Sequence, residues 1–100
     1  MYYEAIKAEY VEDYKLEITF EDGKIGIVDF REYIEKEGVF SRFSDIDYFK
    51  KFYINKEVGI LCWPDDLDIA PEILYHKATG EPLPAWMNKR SKKQITLVRD

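Results

Sequence analysis

The sequence predicts a two-layer α+β domain: a twisted antiparallel sheet of four or five strands, two or three short helices on one face, and a C-terminal tail that can add a strand. Three observations lead there. Tyr14-Lys15-Leu16-Glu17-Ile18-Thr19-Phe20 alternates apolar and polar residues strictly, the period-two pattern of a half-buried strand, which sets Tyr14, Leu16, Ile18 and Phe20 on one core-facing side. Glu21-Asp22-Gly23-Lys24 then carries an Asp-Gly pair and Lys24-Ile25-Gly26-Ile27-Val28 returns, which predicts a β-hairpin closed by a type I′ turn. The helix signals are short, with Asp29 and Ser44 as capping residues and Pro71 at a first helical position.

Taken in order, Glu4-Ala5-Ile6-Lys7-Ala8-Glu9-Tyr10-Val11 opens the sheet with an imperfect alternation, and the hairpin follows. Asp29 is placed to cap a helix through Arg31-Glu32-Tyr33-Ile34-Glu35-Lys36, with Phe30, Tyr33 and Ile34 as its buried stripe and Gly38 as its left-handed C-terminal residue. Ser44 stands before Asp45-Ile46-Asp47-Tyr48-Phe49-Lys50-Lys51, where early acids and late bases match a helix macrodipole over about two turns. Phe52-Tyr53-Ile54 and Val58-Gly59-Ile60-Leu61-Cys62-Trp63 form a second hairpin that Pro64 ends, because proline cannot donate to the ladder. Asp65-Asp66-Leu67-Asp68-Ile69-Ala70 reads as a turn-rich link to a helix that starts at Pro71-Glu72.

Residues 1–75 form the expected core domain and residues 76–100 a basic tail. In the tail Thr79-Gly80-Glu81-Pro82-Leu83-Pro84 breaks regular structure, while Gln94-Ile95-Thr96-Leu97-Val98-Arg99 has the β-branched alternation of a strand that extends a sheet or contacts a second subunit.

Composition narrows the function classes. One hundred residues support one core, and 46% hydrophobic with 16% aromatic residues suffice to fill it. Cys62 is the only cysteine and His76 the only histidine, so an intrachain disulfide, a thiolate cage and any site needing two imidazoles are excluded, and no cofactor is expected. No apolar run reaches the length of a bilayer span, and Met1-Tyr2-Tyr3-Glu4-Ala5-Ile6 lacks the pattern of an export signal, so a cytoplasmic, non-membrane protein is expected. The net charge is -5, divided unevenly: residues 1–75 hold nine Lys/Arg against eighteen Asp/Glu, and residues 76–100 hold six against two. The acidic body argues against nucleic acid, which only the tail could touch.

Glu21-Asp22-Gly23, Val28-Asp29-Phe30, Phe49, Trp63-Pro64 and the run Asp68-Ile69-Ala70-Pro71-Glu72-Ile73-Leu74-Tyr75 together resemble the bacterial domain of unknown function 2442 family. The resemblance spans most of Tyr10 to Tyr75, and its most specific part is the order Trp-Pro, Asp, Ala-Pro-Glu, Leu-Tyr. Asp65-Asp66-Leu67 departs from the Asn-Gly-Ala turn of that family. What the resemblance implies is a two-layer α+β fold with no established activity, and an accessory or regulatory role, in some cases beside DNA-binding helices or in toxin-antitoxin pairs.

The acidic group Asp65, Asp66, Asp68 and Glu72 has the ligand chemistry for a hard cation, but Ile69-Ala70-Pro71 stands where a calcium loop would need its turn and later ligands. Its simpler use is local: Asp68 bonding the amides at the start of the next helix, and Glu72 facing that helix's dipole. Cys62 sits in a strand as a small hydrophobe, with His76 in a different element, and neither a phosphate-cradling glycine loop nor a nucleophile elbow is present. The candidate contact residues are therefore Trp63, Asp68, Trp86 and Met87, with the basic run Lys89, Arg90, Lys92 and Lys93. The expected function is a non-catalytic interaction or regulatory module that binds a protein partner or itself. The alternatives are a metal-dependent or hydrolase-like enzyme using the Asp65 to Glu72 loop, with His76 as base, and a structural homo-oligomer.

Overall fold

The computed structural model describes residues 3–35 and 38–83. The expected α+β class holds, but the strands form two small antiparallel sheets rather than one of four or five strands. The first sheet is β1 (Ala5–Glu12), β2 (Lys15–Phe20) and β3 (Ile25–Asp29), in the order β1-β2-β3. The second is β4 (Tyr53–Asn55), β5 (Ile60–Trp63) and β6 (Leu67–Ile69), in the order β4-β5-β6. Between them lie α1 (Arg31–Ile34), a 3-10 helix (Val39–Ser44) and α2 (Ile46–Phe49), and α3 (Pro71–Thr79) closes the described chain. The sheets meet at one seam, where the Ala5 amide donates to the Gly59 carbonyl at 2.9 Å. Gly59 has φ +69, and a Cβ there would stand 2.4 Å from Glu4 Cβ, so a side chain would push the seam apart.

The β2 pattern decides the first sheet. Leu16, Ile18 and Phe20 are fully buried and Tyr14 is half-buried, as the alternation predicts. Each fully buried side chain of this size stabilises the fold by about 1.5–3 kcal/mol. The hairpin exists, but its turn is not type I′. Only Gly23 takes a positive φ (+93), the Gly23 amide donates to Phe20 O at 2.9 Å, and the connection Glu21-Asp22-Gly23 is a three-residue loop with glycine in the bulge position. Asp22 supports it by accepting from the Lys24 amide at 2.9 Å.

The short helices start where acidic side chains meet their first amides, but the expected Asp29 cap is not found, because Phe30 is the N-cap of α1 and has no side-chain bond. Asp29 Oδ1 accepts from the Arg31 amide at 3.0 Å, and Asp45 Oδ1 from the Asp47 amide at 3.1 Å, so Asp45 rather than Ser44 caps α2. Both helices are four residues long and shorter than expected. Gly38, at φ 102 and ψ −153, is not the left-handed end of α1, which stops at Ile34. Two further corrections concern the end of the domain. Leu67–Ile69, expected as part of a link, is a strand that pairs Trp63 with Leu67 and Leu61 with Ile69 and buries Leu67 and Ile69. The last helix starts at Pro71 as expected and runs past the expected core-domain bound at Tyr75. It runs four residues further, because the break is set by Gly80, left-handed at φ 81, whose amide caps His76 O at 2.9 Å.

Helix α3 covers the inner side of β3, and a missing side chain lets it in. A Cβ on Gly26 would lie 1.9 Å from the Ala78 carbonyl oxygen, backbone that cannot rotate away. Gly26→Ala is therefore expected to lever α3 off the sheet and to cost about 2 kcal/mol or more in urea unfolding.

Candidate functional site

Four aromatic side chains, one from the β3–α1 junction and three from separate elements, meet at the centre. Phe30, Phe43, Phe49 and Trp63 are fully buried, and the Trp63 indole donates to Phe49 O at 2.8 Å. Trp63, expected as a candidate contact anchor, is therefore spent inside the fold, with both its ring and its polar atom satisfied. Its neighbour Pro64 accepts from the Tyr48 hydroxyl at 2.8 Å.

The acidic loop does not assemble a site. Among the described residues no group of three or more His, Cys, Asp or Glu side chains is placed to hold a metal ion. Asp65 pairs with Arg42 at 3.1 Å, and Asp65 and Asp66 form the β5–β6 connection at φ 69 and φ 64. Asp68 points to solvent from β6 and does not cap α3, whose N-cap is Ala70 with no side-chain bond. The reason is the strand: β6 pairing commits Asp68 to an extended backbone opposite Cys62. Burial first, and then the Asp68 charge, raise the Cys62 thiol, which makes it a poor nucleophile at neutral pH. The His76 Nδ1 lies 2.6 Å from Glu81 O, at the end of its own helix. Trp86, Met87, Lys89, Arg90, Lys92 and Lys93, and the expected terminal strand, lie outside the described residues.

A polar cluster does form where the β2–β3 hairpin meets α3. The Tyr75 hydroxyl donates to Asp22 Oδ2 at 2.6 Å, and Lys24 Nζ bonds Glu81 at 2.8 Å while lying 5.7 Å from the Tyr75 ring centroid. Tyr75 is itself buried against Phe20 and Tyr3. The hydroxyl and the Lys24 amide hold the Asp22 carboxyl below its ordinary 3.8. The Asp22 carboxylate, then burial, raise the Tyr75 hydroxyl above its ordinary 10.0. Lys24 is raised chiefly by Glu81. On the other side of α3, Lys77 bonds Glu32 and stands 5.4 Å from the Tyr33 ring, whose hydroxyl burial pushes up to about 12.

The surface left over is the margin of the first sheet. Hydrogen bonds at the two ends of the β2–β3 pair, Phe20 N to Lys24 O and Phe30 N to Tyr14 O, set the alternation between them. Ile25, Ile27 and Asp29 therefore turn their amides and carbonyls away from β2, and no backbone or side-chain partner takes them among the described residues. Ile25 (58% exposed) and Ile27 (52%) stand on the outer face beside this open edge, opposite Thr19 and Glu17. Sequence reasoning found the strand but not the edge. The signal available was Gly26, which lets a helix sit on the inner side and so turns both isoleucines outward.

An α+β domain of paired three-stranded sheets stitched by buried aromatics is the class that this geometry defines. Residues 5–80 match the model of a family described as protein of unknown function (DUF2442), and the chain belongs to that family. Neither a curated protein nor a solved structure matches the chain. Several of the residues that carry the resemblance hold one another: Asp22 bonds Tyr75, Phe49 accepts from Trp63, and Asp29 accepts from the Arg31 amide at the start of α1. They are committed to the scaffold.

Two outcomes follow. The melting-temperature difference between wild type and Tyr75→Phe should be constant between the ordinary values of 3.8 and 10.0. A depressed carboxyl loses its contribution as pH falls through its folded value, and a raised phenol loses its contribution as pH rises through its own, so the difference should shrink on both flanks. Asp66→Gly should stabilise the fold by about 0.5–1 kcal/mol in chemical denaturation, because it relieves a non-glycine residue held at positive φ.

Proposed function

We propose that the protein is a non-catalytic interaction module whose docking surface is the β3 edge with the outer face beside it. The observation that carries this reading is the coincidence of two features at one place: unpaired strand donors and acceptors, and Ile25 and Ile27, each more than half exposed. Main-chain bonds along a free edge supply affinity for an extended segment, and side chains of the adjoining face supply selectivity. The surrounding acidic body supports the same reading, since excess charge of one sign steers a partner of the other. A regulatory role of toxin-antitoxin type is carried by the family resemblance, and this edge is where a cognate small protein would dock.

The double variant Ile25→Lys/Ile27→Lys tests the surface. Both side chains face solvent, so the melting temperature should stay within a few degrees of wild type. Proteins retained from native lysate by tagged wild-type chain should be lost by the variant. Retention of the same set by both would refute the assignment.

A further inference from the structure

We propose that this chain's own segment Gln94-Ile95-Thr96-Leu97-Val98 docks as an added strand on the free edge of β3. The inference rests on the reading of that edge as a pairing surface and names its first occupant.

Comparison of the sheet edges singles out β3. Strand β1 carries register shifts between Ala5 and Lys7 and between Tyr10 and Glu12, and bulges of this kind discourage pairing. Strands β4 and β6 are three residues long, and β6 is bracketed by Pro64 and Pro71. Strand β3 keeps its register from Ile25 to Asp29 and contains neither bulge nor proline. It is the edge with no device against addition.

The chain also leaves beside it. Ala78 touches Gly26, and Glu81 bonds Lys24, the residue just before β3, so the last described residues run alongside the start of that strand. Residues 84–93 then supply ten residues of connection, a reach of roughly 33 Å against roughly 17 Å for the five residues of β3. That slack lets the segment lie in either direction. Its alternation would place Ile95 and Leu97 on one face, where they can continue the stripe of Ile25 and Ile27. Charge favours this occupant over a second copy paired through β3. The connection carries Lys89, Arg90, Lys92 and Lys93 toward a body with nine Lys/Arg against eighteen Asp/Glu, whereas two copies would bring two such bodies together.

Amide hydrogen exchange on the full chain decides it. The Ile25, Ile27 and Asp29 amides should exchange at least about tenfold more slowly than in chains carrying Thr96→Pro or Leu97→Pro, independently of protein concentration. Two variants are needed because alternate amides of an added strand face β3, and proline removes the donor in only one of each pair. Fast exchange in the wild-type chain, slow exchange that neither proline alters, or protection that grows with concentration as a second copy would cause, each overturns the proposal. Should exchange be fast while Ile25→Lys/Ile27→Lys still loses its partners, the tail assignment falls and the interaction surface stands. If that variant keeps its partners while the prolines speed exchange, the reverse holds.

Discussion

A three-stranded sheet is stable only when its apolar face is packed, and here the aromatic contact that joins the two sheets supplies that packing. Phe30 arrives from the end of β3, Phe43 from the 3-10 helix, Phe49 from α2 and Trp63 from β5. All six pairs among these rings have centroids within 4.6–6.2 Å, and none of the four side chains is exposed to solvent. Ring pairs at such separations add about 0.5–1.5 kcal/mol each beyond the area they bury. Helices of four residues such as α1 and α2 have no independent stability, and they exist here because each delivers or adjoins a ring of this cluster. The indole bond to Phe49 O then sets how Trp63 enters, since a buried N–H without a partner would cost about 1–3 kcal/mol.

What was legible in the sequence was whatever a short window decides. The alternation of β2 shows its buried face, and the polar residues before Arg31 and Ile46 show roughly where α1 and α2 start, though not which residue caps them, because a period and a helix start are both local. Strand β6 is three residues, too short for periodicity, and its identity as a strand comes from pairing with β5. The way the two sheets meet hangs on the Ala5–Gly59 bond, between residues more than fifty positions apart. Trp63 next to Pro64 looks the same from sequence whether it faces solvent or core. The partners that settle it, Phe30, Phe43 and Phe49, lie far back along the chain. The Asp22-Gly23 turn shows a finer limit. The dipeptide signals a hairpin, while the loop length that selects the turn type is set by the register of the strands it joins.

Charge is used differently from apolar surface in this molecule. Among the described residues no charged or polar side chain is buried, and the ion pairs lie at the surface, where such pairs contribute little to stability. Beyond the few acidic side chains that cap or fasten helices, the acidic excess acts as a field, favouring positively charged segments near the sheet and opposing acidic ones.

The packed core and the open edge meet at Gly26. With no side chain there, the end of α3 settles onto the inner side of β3, and the Asp22–Tyr75 and Lys77–Glu32 bonds fasten that helix on either side. A helix so placed shields the inner face but adds nothing in the plane of the sheet, where strand donors and acceptors need a partner that is itself extended. The alternation that sends Gly26 toward the helix sends Ile25 and Ile27 the other way. The packing that completes the core thus creates an open edge with an apolar margin, and water satisfies such an edge less well than another strand does.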